Sequence, residues 1–231
     1  MSALTFENLS ISAPANGVLG SGLGPPDDGI TIAHDVISNV GQFGIESADS
    51  GDAGWRIENN LLERTGNSGM YLEGESFLVT GNGILDTGLD GAIPYGRHGI
   101  YLKAIKATVT YNTITGFSST GVSVRYRDSV IEHNVIDGGQ IGIAWFQYDT
   151  LPGTSYWREN CILDTSQADI WVSTAGAPGG RVLESFVITG NALGANTEHY
   201  LELAQIPGTY TVRDNRLGAR TCDRDGWGVS G

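Results

Sequence analysis

One phrase recurs seven times between Ile57 and Leu217: an apolar residue, two variable residues, Asn, one variable residue, then Ile or Leu. Its copies centre on Asn60, Asn82, Asn112, Asn134, Asn160, Asn191 and Asn215, and an eighth, Ile32 to Ile37, carries Asp35 in the Asn place. Consecutive centres lie 25, 22, 30, 22, 26, 31 and 24 residues apart, starting from Asp35. A second phrase recurs between the copies: Gly69-Met70-Tyr71-Leu72, Gly99-Ile100-Tyr101-Leu102, Gly121-Val122-Ser123-Val124 and Gly142-Ile143-Ala144-Trp145. Repetition at 20–50 residues means stacked units, each too small to bury its apolar face alone.

Within each phrase apolar and variable positions alternate with period two, as in a strand. Trp55 and Ile57 point inward with Arg56 and Glu58 outward; Ala107 and Val109 follow the same rule. No helical apolar stripe interrupts the pattern, and 34 glycines punctuate it. Propeller blades need about 40 residues per unit, and the Leu/Asn spacing of leucine-rich repeats is absent. Coils of 22 residues fit an all-β parallel β-helix, in which each coil pairs in register with its neighbours. Roughly eight or nine such coils, about 4.8 Å apart, make a rod about 40 Å long. An Asn recurring at one phase is expected to stack inside a turn, its amide serving buried backbone groups and the next Asn. These Asn residues are read as structural.

The coils resemble the right-handed parallel β-helix repeats of the pectate lyase-like superfamily, over nearly the whole chain. That resemblance, with the general right-handed crossover rule, implies the handedness. A single domain over residues 1–231 follows.

The formal charge is −13, with 26 acidic against 13 basic residues. Such a balance argues against nucleic acid and anionic membranes as general partners. No 18-residue apolar run offers a transmembrane segment. Ser2 to Phe6 shows no basic or apolar region of a signal peptide, and Leu4 to Ile11 already reads as a first coil. No cap precedes it, so a module of a longer protein is one expectation. Two cysteines are too few for a disulfide scaffold. Cys161, beside Asn160, reads as a small buried apolar residue, and Cys222 lies in the tail.

Stacking turns the sequence into rows. One outward row reads Glu46, Tyr71, Tyr101, Ser123, Ala144, Trp171, and the next reads Ala48, Glu73, Lys103, Arg125, Phe146, Ser173. Lys103 is therefore expected beside Arg125, a repulsive pairing unless an anion is bound there. Residues Arg97 to Arg127 carry five basic side chains (Arg97, Lys103, Lys106, Arg125, Arg127) and no acidic one. On an acidic body this reads as a local anion-binding patch. Tyr71, Tyr101, Phe146, Tyr148 and Trp171 flank it, suited to sugar rings, and Leu85 to Arg97 reads as a loop over the same face. Glu73 pairing with Lys103 across a rung is the competing, structural reading.

Lys103, Tyr111-Asn112-Thr113 and Arg125 are similar to the Lys and Arg pair of the alginate lyase and chondroitinase B family. The resemblance implies Lys103 as the base that removes the proton beside a uronate carboxyl group. It implies Arg125 as acid or carboxylate clamp, and Tyr101 is a candidate proton donor. Arg125 is expected to lower the Lys103 pKa by repulsion. His98 stands where that family has an acidic residue that helps bind calcium, and Tyr126-Arg127 replace its His-Gly. Arg97, Arg127, His98, Tyr71, Glu73, Phe146, Tyr148 and Trp171 are assigned to substrate binding. Calcium is an open candidate at Asp49-Ser50-Gly51-Asp52 and Asp86 to Asp90, where ordinary turn formation is the alternative. His34, His133 and His199 form no cluster, and nucleophile-elbow and phosphate-loop motifs are absent.

The expectation is thus a secreted or extracellular polysaccharide lyase acting on an acidic, uronate-containing polysaccharide by β-elimination. The alternatives are a non-catalytic glycan-binding or structural β-helix module and a uronate epimerase.

Overall fold

The computed structural model describes residues 4–20, 27–90, 97–146, 148, 151–174, 184–195, 197–204, 206 and 208–222. Among them strands form three parallel sheets, two of nine strands and one of eight, and each strand pairs with the strands three before and three after it in sequence. This is a parallel β-helix of eight complete coils with two strands of a ninth, as the repeat predicts.

The core is built from columns. Ile57, Val79, Val109, Ile131, Trp157 and Ile188 pair rung upon rung in the first sheet, and all are fully buried. Each apolar residue thus covers the one below. Val212 and Leu217 continue the columns of Ile188 and Leu193 yet stay 41% and 55% exposed. No described coil stacks on them.

The Asn column is a continuous hydrogen-bonded ladder. Each Nδ2 donates to the Oδ1 of the Asn one coil on, at 2.9–3.0 Å from Asn60 to Asn215. Each backbone N–H donates to that same Oδ1. Nδ2 also donates to the carbonyl of the apolar residue one coil back, Val79 in the case of Asn112. Three groups that a sharp buried turn would orphan are thereby satisfied. The residue before each Asn is left-handed, among them Asn59, Tyr111, His133, Glu159 and Asp214. Asp35 accepts from Leu9 N and donates its own N–H to Asn60, but its Oδ2 is buried without a partner. A carboxylate lacks the donor that an amide would supply there.

The expected reading of Cys161 needs correction. Cys161 and Cys222 form a disulfide, their Cα atoms 5.7 Å apart. Cys161 lies on the outer side of the second sheet, in a small cluster with Ala192 and Ala219 against which Leu163 and Cys222 pack. Sequence spacing could not show this, because the tail carrying Cys222 leaves the repeat and folds back over two coils. The bridge closes a separation of 61 residues, for which chain entropy allows about 4 kcal/mol of stabilisation at most. Adding reductant is therefore expected to speed hydrogen exchange in Tyr210–Arg213 and Arg216–Ala219 while coils around Asn112 stay protected. Unchanged exchange in those strands would refute a clasping role.

Candidate functional site

The outer face of the third sheet carries the two rows. Pairing places Glu46, Tyr71, Tyr101, Ser123, Ala144, Trp171 and Glu202 on successive rungs. In the neighbouring row Glu73 pairs with Lys103, Arg125 N donates to Leu102 O one coil back, and Phe146 pairs with Ser173. Strand alternation sends these side chains outward while Met70, Leu72, Ile100, Leu102, Val122 and Val124 fill the core.

Two small constellations stand side by side on this face. In the first, Lys103 Nζ donates to Tyr71 Oη at 2.8 Å and to Glu73 Oε2 at 3.1 Å. Tyr71 Oη donates to Glu73 Oε2 at 2.7 Å, so the three close a ring. Partial burial drives the Lys103 ammonium down, but Tyr71 and Glu73 outweigh it and leave its pKa raised. Burial likewise pushes the Tyr71 phenol up, to about 12. The expected lowering of the Lys103 pKa by Arg125 is thus reversed, because Tyr71 and Glu73 on the adjacent rung hold the proton in place. Both Lys103 and Tyr71 are protonated at neutral pH.

In the second, the Arg125 guanidinium lies among three rings: Phe146 at 4.6 Å, Tyr101 at 5.0 Å and Tyr148 at 5.3 Å from its carbon to the ring centroids. Arg125 Nη1 donates to the Phe146 carbonyl at 3.4 Å, and Nε is buried without a partner. Among the described residues no carboxylate pairs with it. Burial raises the pKa of the Tyr101 phenol, and Arg125 opposes it. Trp171 meets Phe146 edge-on at 5.7 Å, continuing the aromatic surface two rungs beyond Arg125. A depression of about 130 Å³ beside Lys103 is lined by Ser50, Glu73, Gly74, Ile105 and Tyr126.

The other cations of the acid-free stretch do not converge on this face. Lys106 is exposed on a left-handed turn at the edge of the sheet. Arg127 Nε sits 3.5 Å from Asp128, and the Arg97 stem packs at Gly88 in the turn before the sheet. Runs of like charge in sequence are split by the coil geometry between a face and its two flanking turns. His98 is 3% exposed with its ring 5.0 Å from Tyr101, so it packs against Tyr101. The insertion expected as a loop starts later than anticipated, since Gly83–Thr87 is a strand, and residues 91–96 lie outside the described residues.

Both Asp side chains of the first calcium candidate, Asp49 to Asp52, are engaged structurally. Asp52 accepts from Ser47 Oγ and Asp27 N, and Asp49 accepts from Gly51 N in its own turn. Among the described residues no group of three or more His, Cys, Asp and Glu is arranged to hold a metal. His133 stacks on Tyr111 and pairs with Glu159 at 3.2 Å, which explains it as a turn residue.

A β-helix with a cation-and-aromatic outer face defines the class. A family model described as "Periplasmic copper-binding protein (NosD)" matches residues 5–152, and the chain belongs to that family. No curated protein sequence matches it. Among solved structures it is similar to a point mutant of the periplasmic alginate epimerase AlgG, with TM-score 0.70 and 12% identity over 93% of this chain and 50% of that one. It is also similar to the Dettilon tailspike protein, with TM-score 0.61 and 13% identity over 90% and 48%. A lacto-N-biosidase from Eubacterium ramulus gives TM-score 0.56 and 14% identity over 83% and 35%. The chain spans half or less of these proteins, and at such identities the likeness is one of fold.

Copper favours imidazole, thiolate and thioether ligands. Here both cysteines are in the disulfide, Met70 is fully buried in the core, and the histidines sit on separate coils. The described residues do not fit a copper site, and no chemistry is routed through one. No helix among them is long and apolar enough to cross a membrane.

Proposed function

We propose that the outer face of the third sheet binds an acidic, uronate-containing polysaccharide and cleaves it by β-elimination. The observation that carries the binding half is Arg125: a guanidinium with no acidic partner among the described residues, set within 4.6–5.3 Å of three aromatic ring centroids. A planar fork in that setting suits a carboxylate, and Tyr101, Tyr148, Phe146 and Trp171 offer surfaces for the attached sugar rings.

For the reaction, Arg125 clamps the carboxylate and so makes the adjacent C–H more acidic. Lys103 takes that proton, the electron pair forms the new C=C bond, and the glycosidic C–O bond on the far carbon breaks. Tyr101, whose raised pKa keeps its proton, gives that proton to the leaving oxygen. Lys103 must first be released from Glu73 and Tyr71. The Lys103 base therefore acts from its minor, neutral form. The profile of kcat/KM reports the free enzyme, so it is expected to climb with pH past the ordinary lysine value of about 10.4. Glu73→Gln removes a group that raises the Lys103 pKa and is expected to shift this rising limb to lower pH. A limb that Glu73→Gln leaves in place would sink the assignment of Lys103 as base.

The same Lys103–Glu73 ion pair favours a second reading, a glycan-binding module without turnover. An epimerase would share the base and return a proton to the opposite face of the carbon. Proton NMR of the sugar product separates it from a lyase. The disulfide supports action outside the cytoplasm, where such bonds persist.

A further inference from the structure

The charge along the face is patterned, and the pattern selects among acidic polysaccharides. From Glu46 to Glu202 the seven rungs of the first row are paired one upon the next. Adding the neighbouring row, the rungs read Glu46 with Ala48, Tyr71 with Glu73, Tyr101 with Lys103, Ser123 with Arg125, Ala144 with Phe146, Trp171 with Ser173, and Glu202 with Ala204. Carboxylates therefore stand three rungs to either side of Arg125, about 14 Å away. Lys103 is neutralised by Glu73 at 3.1 Å. Asn16 Nδ2 holds Glu46 Oε2 at 2.5 Å, so Glu46 is fixed on the face with no cation against it among the described residues.

A pyranose in an extended chain is comparable in length to one rung. A homopolyuronate lying along the face would thus bring a carboxylate to the level of every rung, including those of Glu46 and Glu202 and the apolar ones of Phe146 and Trp171. It would meet one unneutralised cation and two repelling carboxylates. We infer that the substrate is a heteropolysaccharide in which neutral sugars separate the uronates. With one uronate on Arg125 and the next two rungs away, the anions face the Tyr71 and Trp171 rungs. Neutral sugars then face Glu46 and Glu202 and hydrogen-bond to them. This inference rests on the reading of the face as an acidic-polysaccharide site.

The test is calorimetric binding at about 10 mM salt, where charges about 14 Å apart are little screened. Three probes are compared: unsulfated chondroitin hexasaccharide, with alternating uronates; oligogalacturonate hexasaccharide, with a uronate on every ring; and maltohexaose, which is neutral. The alternating probe is expected to bind at least 10-fold tighter than the homouronate, and the neutral one weakest. In Glu46→Gln/Glu202→Gln the homouronate is expected to gain several-fold while the alternating probe changes little. Equal or tighter binding of the homouronate by the native protein, or no gain in the double variant, overturns the inference and leaves the acidic-substrate reading standing. Maltohexaose binding as well as either acidic probe overturns both.

Discussion

Replacing Asn112 by alanine is expected to lower stability by about 3–5 kcal/mol, far more than a turn substitution normally costs. The Asn112 Oδ1 accepts from both the backbone N–H and the Nδ2 of Asn82. Its Nδ2 donates to Val79 O, Thr110 O and Asn134 Oδ1. Truncation leaves the Asn82 backbone N–H and the Val79 carbonyl without these partners and removes one of the bonds of Asn82 Nδ2, inside a turn that is 1% exposed at this position. Each such orphan costs about 1–3 kcal/mol, partly relieved if water enters the space left by the amide. Asn112→Asp keeps the acceptor, loses the donors and should fall between. Denaturant unfolding followed by circular dichroism measures both. A loss below about 1 kcal/mol for Asn112→Ala would contradict the ladder as a principal stabiliser.

Arg125→Ala is expected to weaken binding of a uronate oligosaccharide about 100-fold, while stability falls by only about 1 kcal/mol. The first figure is the loss of a charge-assisted bidentate contact, about 2–3 kcal/mol. The second is what partly exposed stacking of one cation on aromatic rings contributes. Arg125→Lys should recover little, since an ammonium cannot fork onto a carboxylate as a guanidinium does. Titration calorimetry with the variant and the native protein reads the effect directly. Undiminished affinity in Arg125→Ala would remove the residue on which the site is built.

Much of the architecture was legible because a β-helix converts spacing into contact. The Asn phase aligned Tyr71 with Tyr101 and Glu73 with Lys103, pairs that the register contains. What spacing could not weigh was which neighbour wins. Lys103 has Glu73 on one side and Arg125 on the other, and only side-chain geometry shows that it turns to Glu73 and Tyr71. The five-cation stretch misled for a related reason: a count of charges ignores that one coil spans a face and two turns, where Arg127 meets Asp128. Cys222 was illegible because it lies past the last Asn, where the repeat no longer relates sequence to position.

The most direct test of the account is turnover. The native protein is incubated with an unsulfated chondroitin polysaccharide at alkaline pH, and the ultraviolet absorbance of the unsaturated uronate end is followed. Absorbance is expected to grow in proportion to chain cleavage and to vanish in Lys103→Ala and Arg125→Ala. Cleavage without that absorbance, or equal turnover in those two variants, would contradict it.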